Sequence, residues 1–304
     1  MTHNSRPGQG TERPADPFTE RTPRVVSASK LHRAAARRKA GRFLAEGANS
    51  VEAALSTGHA LEVFCAEDAL DRFDDLIDSA QAAHAGRVRV STVTTRAMRT
   101  LSDTVTPAGI VAVCRTLVHD AAQVVGQDGA QDVGQDGAAD GSRDDAAHPP
   151  RLVTIGQALG EPGNVGTLIR VSDALGADAV WLTEGAVDPE NPKAVRASAG
   201  SLFHLPVVRG IGESDLVERA HARGLQVAVA TADGEVDIEH ANEQLARPTA
   251  WIFGNEAHGV SADLAAAADL RVRIPIRGRA ESLNIVTAAS ICLHTSARLQ
   301  AGGS

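Results

Sequence analysis

Two turns in the last third of the chain carry glycines and short polar side chains where an apolar run stops. They are Trp251-Ile252-Phe253-Gly254-Asn255-Glu256-Ala257-His258-Gly259 and Ile274-Pro275-Ile276-Arg277-Gly278-Arg279-Ala280-Glu281-Ser282-Leu283-Asn284-Ile285. Such turns leave backbone N–H and C=O groups at one rim of a parallel sheet, where α/β proteins bind their ligands. A third turn, Gly160-Glu161-Pro162-Gly163-Asn164-Val165-Gly166-Thr167-Leu168-Ile169-Arg170, also follows an apolar run. Glycines between a strand and a helix suit a dinucleotide phosphate, and Glu184 stands near the offset of a ribose-binding acid. The spacing here is G-x-x-G-x-x-G, and not the G-x-G-x-x-G of dinucleotide sites, so nicotinamide chemistry is only a secondary reading. Asn164 equally suits a helix N-cap, and Arg170 could pair with Asp173 three residues on, both purely structural roles.

The elements that must position these turns can be read from hydrophobic periodicity. Strand patterns at 152–155, 179–182, 226–230, 250–253 and 270–274 alternate with helical ones, which implies a mostly parallel sheet covered on both faces. A smaller α/β domain precedes it over 25–118. Short strands are expected there at 43–44, 63–64, 88–90 and 110–113, and a helix over 68–85 on which Leu70, Phe73, Leu76 and Ile77 recur. Residues 1–24, rich in Pro, Arg, Thr and Gly, have too little to bury and are expected to be disordered. Between the domains, the octapeptide beginning at Ala122 is nearly repeated from Ala130. This Asp/Gly/Gln/Ala composition predicts an acidic, flexible linker over 119–150, and one repeat offers too few ligands for calcium.

The net charge of −8 hides a division along the chain. Residues 1–118 hold sixteen Lys and Arg against thirteen Asp and Glu, residues 119–150 one against seven, and residues 151–304 thirteen against eighteen. The basic excess lies in front, where Lys30 to Arg42 forms a dense cationic stretch of good helix formers suited to a phosphate backbone, or to a solvated helix face. Cys65, Cys114 and Cys292 are far apart and lack C-x-x-C spacing, which supports neither a disulfide framework nor a zinc site. With no signal-like segment at the front and no membrane-length apolar run, a cytoplasmic protein is expected.

Taken in order, three blocks resemble the SpoU/TrmH family of RNA ribose 2′-O-methyltransferases. They are Glu161-Pro162-Gly163-Asn164-Val165-Gly166 with Arg170, Phe253-Gly254-Asn255-Glu256 with Gly259, and Ile274-Pro275-Ile276 followed by Ser282-Leu283-Asn284. The stretch from Asp188 to Val207 is similar to the segment that follows the family's first crossover, and residues 33–118 more weakly to its N-terminal substrate-binding domain. The resemblance covers nearly all of 151–300 and implies an α/β fold with a trefoil-knotted catalytic domain over 151–304 behind a small RNA-binding domain. It further implies a homodimer that uses S-adenosylmethionine and no metal, with the cofactor near Gly254, Asn255, Ile274, Ile276 and Leu283. Asn164, Arg170, Glu256, Ser282 and Asn284 match the family's polar catalytic set. Ribosomal RNA, most of all 23S RNA, is the expected substrate, with transfer RNA or a non-catalytic RNA-binding role as alternatives. Arg33, Arg37, Arg38, Lys39, Arg42, Lys193 and Arg196 are the expected phosphate contacts, those of the small domain reaching the RNA on a flexible tether.

Overall fold

A computed structural model describes residues 16–83, 88–121, 149–255 and 257–302. The N-terminal domain is a four-stranded mixed sheet of β1 (Arg42–Glu46), β2 (Ala60–Ala66), β3 (Arg89–Val93) and β4 (Ile110–Arg115), in the order β1-β4-β2-β3. Its helices are α1 (Pro23–Ser29), α2 (Ala34–Ala40), α3 (Ala48–Ser56), α4 (Leu70–Ala83) and α5 (Thr95–Leu101). The expected tail of 1–24 ends earlier than its composition suggested. Phe18 pairs with β3, its N–H donating to Thr92 O at 2.9 Å and its carbonyl accepting from Thr94 N at 2.9 Å, and α1 begins at Pro23. One aromatic anchor offsets the ordering of a few polar residues. The remainder of that tail lies outside the described residues.

The second sheet has eight strands, all parallel: β5 (His119–Asp120), β6 (Leu152–Gly156), β7 (Ala179–Thr183), β8 (Val207–Ile211), β9 (Gln226–Ala230), β10 (Val236–Asp237), β11 (Thr249–Phe253) and β12 (Leu270–Arg273). Their order is β10-β12-β9-β11-β6-β7-β8-β5. Successive side chains point to opposite faces, and here both faces are apolar. Val180, Leu182, Ala228, Trp251 and Phe253 face α6 (Pro162–Ala174) and the C-terminal helix. Val153, Ile155, Trp181, Val227, Val229, Ala250 and Ile252 enter a second core with Leu216 and Leu264. Crossover helices α7 (Pro192–Ser198), α8 (Glu213–His221), α9 (Asn242–Leu245) and α10 (Ala262–Ala267) lead to the last helix, α11 (Ile285–Ala301). The polar groups buried in the first core pair with one another. Trp251 Nε1 donates to Ser296 Oγ at 2.9 Å, and Ser172 Oγ donates to Thr154 Oγ1 at 2.8 Å.

Three strands had no clear sequence signal. β8 carries the pattern Val-Val-Arg-Gly-Ile, while β5 and β10 have two residues each and are recruited by their neighbours. β5 also corrects the linker boundary, because His119 and Asp120 pair with Val208 and Arg209 at the sheet's edge. The acidic segment therefore leaves and re-enters the same sheet, and does not tether one domain to the other. The repeat itself, residues 122–137, lies outside the described residues.

What joins the domains is a buried polar cluster around Asp188 and Glu190. Asp188 Oδ2 accepts from Arg37 Nη2 at 2.6 Å and Nε at 3.0 Å, and its Oδ1 accepts from Arg209 Nη1 at 3.1 Å. Arg37 spends Nη1 on the carbonyls of Leu31 and His32, each at 3.0 Å. Glu190, 3 % exposed, accepts at Oε1 from Thr116 Oγ1 at 2.5 Å and from the N–H groups of Leu117 at 2.9 Å and Val118 at 3.3 Å. Beside it the rings of Phe43 and Phe203 stack across the interface with centroids 5.8 Å apart. The flexible tether is thereby corrected to a packed interface. Arg37 must also be withdrawn as a phosphate contact, since it is only 3 % exposed and four of its five N–H donors are engaged within the protein.

Removing one partner of a buried pair leaves the other charge uncompensated, typically at a cost of about 3–5 kcal/mol. Asp188→Ala is accordingly expected to destabilise the whole chain by roughly that amount. Urea unfolding of the variant against the parent measures it; a loss below about 1 kcal/mol, the range of an exposed pair, would contradict the structure.

Candidate active site

The candidate site is built where β6, β11 and β12 end, because the loops that follow them carry the three polar blocks. Parallel strands deliver all three loops to the same rim. The loop after β11 folds back on itself, with Asn255 N–H donating to Gly259 O at 3.0 Å and Gly259 N–H to Asn255 O at 2.8 Å. That reversal explains Gly254. A β-carbon there would lie 2.1 Å from the carbonyl carbon of Gly259, so the turn's own backbone demands glycine. Asn255 Nδ2 donates to Ala158 O at 2.7 Å, which fastens the turn to the loop after β6, and its Oδ1 accepts from Ala257 N at 2.9 Å. Ala158 has φ +47°, an uncommon value for a residue with a side chain, and its N–H is held by Thr183 Oγ1 at 2.9 Å.

In the loop after β6 the structure changes two assignments. Glu161, and not Asn164, caps α6: its carboxylate accepts from Gly163 N at 3.1 Å and from Lys193 Nζ at 2.5 Å. The Lys193 ammonium and the Gly163 N–H hold that carboxyl below the usual range. Asn164 is therefore the third residue of the helix, within its first turn. Gly166 is also explained by packing, since a β-carbon would lie 2.1 Å from Ala194 O and only glycine lets α6 approach α7 so closely. Arg170 does not pair with Asp173, whose Oδ2 is engaged by His204 Nδ1 at 2.8 Å. Arg170 is exposed and makes no hydrogen bond or ion pair among the described residues.

The third loop runs from β12 to α11. Asn284 caps α11, its Oδ1 accepting from Val286 N at 2.9 Å and Thr287 N at 3.4 Å, which is a structural duty independent of any ligand. Ser282 is exposed and Leu283 half-buried. Ile274 packs against the core, while Ile276 is 38 % exposed, one of three large hydrophobic side chains so exposed among the described residues. Ile274, Ile276 and Leu283 thus offer a partly open apolar wall beside backbone groups, a setting that fits a flat heterocycle held by main-chain contacts. Two clefts of about 400 and 310 Å³ lie elsewhere, one lined by Asp68, Arg72, Met98, Arg99 and Val105 of the N-terminal domain and the other by Arg151, Leu175 and Gln300; neither includes a residue of these loops. Glu256 lies outside the described residues.

Of the expected RNA contacts, Arg33, Arg38, Lys39 and Arg42 are exposed on the N-terminal domain. Lys193 and Arg196 lie on α7, but neither is uncommitted: Lys193 pairs with Glu161, and Arg196 with Asp103 and, at 3.5 Å, with buried Glu46. The three cysteines are buried thiols, and burial pushes Cys65 up to about 11. Among the described residues no group of three or more His, Cys, Asp or Glu side chains could hold a metal ion, and no helix is long and apolar enough to cross a membrane.

An all-parallel sheet with three polar loops at one rim, behind a mixed-sheet domain, is the architecture of an RNA methylase with its substrate-binding domain. Residues 151–294 match the SpoU rRNA methylase family, and residues 22–112 the MRM3-like substrate binding domain. The chain is 31% identical over 271 residues to the 23S rRNA (guanosine(2553)-2′-O)-methyltransferase RlmP of Bacillus subtilis, covering 89% of this chain and 94% of that protein. It is 30% identical over 280 residues to an uncharacterized tRNA/rRNA methyltransferase of Synechocystis, covering 91% and 92%. A crystal structure of an AdoMet-bound rRNA methyltransferase from Sinorhizobium meliloti superposes with a TM-score of 0.71 at 26% identity, covering 91% of this chain and 95% of that one. The chain belongs to the SpoU rRNA methylase family, and it is an S-adenosylmethionine-dependent RNA 2′-O-methyltransferase.

Because the 254–259 turn leaves no room for a β-carbon, Gly254→Ala should force it open and cost about 1–3 kcal/mol of stability, as overpacking does. Thermal unfolding checks this, with Gly160→Ala, where a β-carbon meets nothing within 4 Å, as the matched control.

Proposed function

We propose that the protein methylates a ribose 2′-hydroxyl of 23S ribosomal RNA, with the cofactor held by the loops after β11 and β12 and the reacting ribose beside Arg170. The observation that carries this reading is the exposed, unengaged Arg170 on α6, on the helix that springs from the same rim as the other two loops. Ribosomal RNA is favoured because the relative that acts on 23S RNA is matched over nearly its whole length, N-terminal domain included.

S-adenosylmethionine supplies the methyl group there as a sulfonium, so the protein's task is to align a hydroxyl with it and to stabilise the oxygen as its proton leaves. Alignment alone is worth up to about 7–11 kcal/mol in favourable cases. Ile274, Ile276 and Leu283 would flank the adenine, with backbone groups of Gly254 and Asn255 beside them. Arg170 would meet the ribose. A guanidinium stays charged in proteins and is a poor base, so its role is to donate hydrogen bonds to the developing alkoxide or to the adjoining phosphate. Asn164, six residues earlier and so on a different side of the same helix, would orient the ribose. Ser282 and Asn284 would shape the third loop, and Glu256 would brace Arg170 from the second.

The reading extends to a trefoil knot and a homodimer. In support of the knot, the segment after β9 lies across β12: Thr231 N–H donates to Val272 O at 3.0 Å, and a β-carbon on Gly234 would sit 2.7 Å from the backbone of Arg271 and Arg273. In support of the dimer, Val171, Leu175, Ile285, Ile291 and Leu299 remain only partly buried on α6 and α11 or at their ends. RNA would first meet Arg33, Arg38, Lys39 and Arg42, with Lys193 and Arg196 nearer the reacting ribose.

Arg170→Ala should leave S-adenosylmethionine affinity within about twofold while methylation of 23S RNA falls at least about a hundredfold, since the lost interaction belongs to the transition state. Calorimetry and single-turnover methylation measure the two; near-normal turnover would refute the assignment. Replacing Arg38, Lys39 and Arg42 together by Ala should weaken RNA binding and lower the slope of log affinity against log salt by up to about three, roughly one for each phosphate no longer neutralised. Filter binding across a salt series would reveal an unchanged slope if these side chains are only a solvated face.

A further inference from the structure

The rim holds a second polar cluster that none of these roles uses. Gln157, the residue after β6, is only 5 % exposed, and both ends of its amide are engaged. Its Nε2 donates to Glu213 Oε1 at 2.7 Å, and its Oε1 accepts from the backbone N–H of Ser261 at 3.1 Å. Ser261 closes the ring by donating its hydroxyl to the other carboxylate oxygen, Glu213 Oε2, at 2.9 Å. Three separate elements meet here: the end of β6, the first residue of α8, and the N-cap of α10. Hydrogen bonds to a carboxylate are the stronger kind, and the ring's polarity admits only one orientation of the amide.

The ring's location in the chain gives it a use. Ser261 comes directly after the turn that begins at Gly254, so the ring grips the exit of that turn, while the Asn255 bond to Ala158 O grips its entrance. Between the two grips Ala257, His258 and Gly259 are exposed. Both grips end on Gln157 and Ala158, so the loop after β6 serves as the template on which the loop after β11 is shaped. The ring also lies past the last ladder bond between these strands, Gln157 N–H to Phe253 O at 2.9 Å, so its loss leaves the buried strands paired.

We propose that Gln157 and Glu213 are positioning residues that act through Ser261 to hold the 254–261 turn in the shape that receives S-adenosylmethionine, and so set cofactor affinity. This rests on the reading of that turn as part of the cofactor site. The test uses the full-length chain carrying Gln157→Ala, Glu213→Ala, the double substitution, and Ser261→Ala, which deletes a single hydroxyl and preserves the test if a larger change impairs folding. Gln157→Ala and Glu213→Ala are each expected to weaken S-adenosylmethionine binding by about fivefold or more in calorimetry, and Ser261→Ala by about twofold or more. Amide exchange across 254–262 should quicken, while kcat at saturating cofactor stays within about twofold of the parent. The double variant should be no worse than the weaker-binding single, because both substitutions break one ring.

Folded variants that bind the cofactor as tightly as the parent would overturn the proposal, as would losses that multiply in the double variant or a matching fall in kcat at saturation. A parent chain that does not bind S-adenosylmethionine would instead overturn the underlying reading of the turn. Quickened exchange across 254–262 in the variants then distinguishes that failure from a failure of the ring.

Discussion

Burying Arg37 and Glu190 would be prohibitive if either lost its partners, and the arrangement of the two domains follows from satisfying them together with half-buried Asp188. Asp188 takes one guanidinium from the N-terminal domain and another from β8, while Glu190 takes a hydroxyl and two backbone N–H groups of the crossing chain between β4 and β5. A buried ion pair contributes little net stability compared with apolar packing, but its geometry tolerates few alternatives. The cluster therefore fixes where the small domain sits, and the Phe43–Phe203 stack and the apolar core around it supply the favourable free energy.

Close backbone approach is the second recurring constraint. At Gly166, Gly234 and Gly254 the space for a β-carbon is filled by main-chain atoms of another segment. The first brings α6 against α7, the second lays the chain after β9 over β12, and the third folds the turn after β11. Two of these glycines belong to blocks that resemble ligand-binding motifs, yet the structure gives each a packing reason of its own. A glycine in such a motif therefore records how near two backbones come, and the ligand occupies the space that the resulting turn leaves beside it.

Charge follows a different logic from packing. Half of the arginines of the catalytic domain are paired with carboxylates, among them Arg271 with Asp233 and Glu235, Arg273 with Asp237, Arg277 with Glu239, and Arg209 with Asp120 and Asp188. The pairs of Arg271, Arg273 and Arg277 tie the segment after β9 to β12 and the loop that follows it. The Thr231 hydroxyl and then Arg271 hold the Asp233 carboxyl below the usual carboxylate range, and the Glu239 N–H and then Arg273 do the same for Asp237. Arg170 and the exposed cations of α2 form no ion pair among the described residues, although Arg38 adds to Arg209 in holding the Asp120 carboxyl below its usual range. An acidic protein can bind RNA if its uncommitted cations share a face, since phosphate binding depends on local and not on net charge.

The sequence alone determined the local structure and the chemistry available. Near-continuous apolar runs marked β6, β7, β9, β11 and β12 closely, because strands buried on both faces need apolar residues at nearly every position. The three polar blocks were legible because loops at a sheet rim draw on a narrow set of residue types. Tertiary structure alone decided which polar residues were spent on holding the fold. Arg37 carries the same charge as Arg38 and Lys39 and sits among them, yet one is buried against Asp188 while its neighbours face solvent. Gln157, Glu213 and Ser261 are separated by 56 and 48 residues, so no local pattern could announce their ring. The short strands β5 and β10 likewise depend on a neighbour's edge and not on their own residues. Hydrogen bonding and desolvation depend on what lies across space, and spacing along the chain records that only where the two partners are close in sequence.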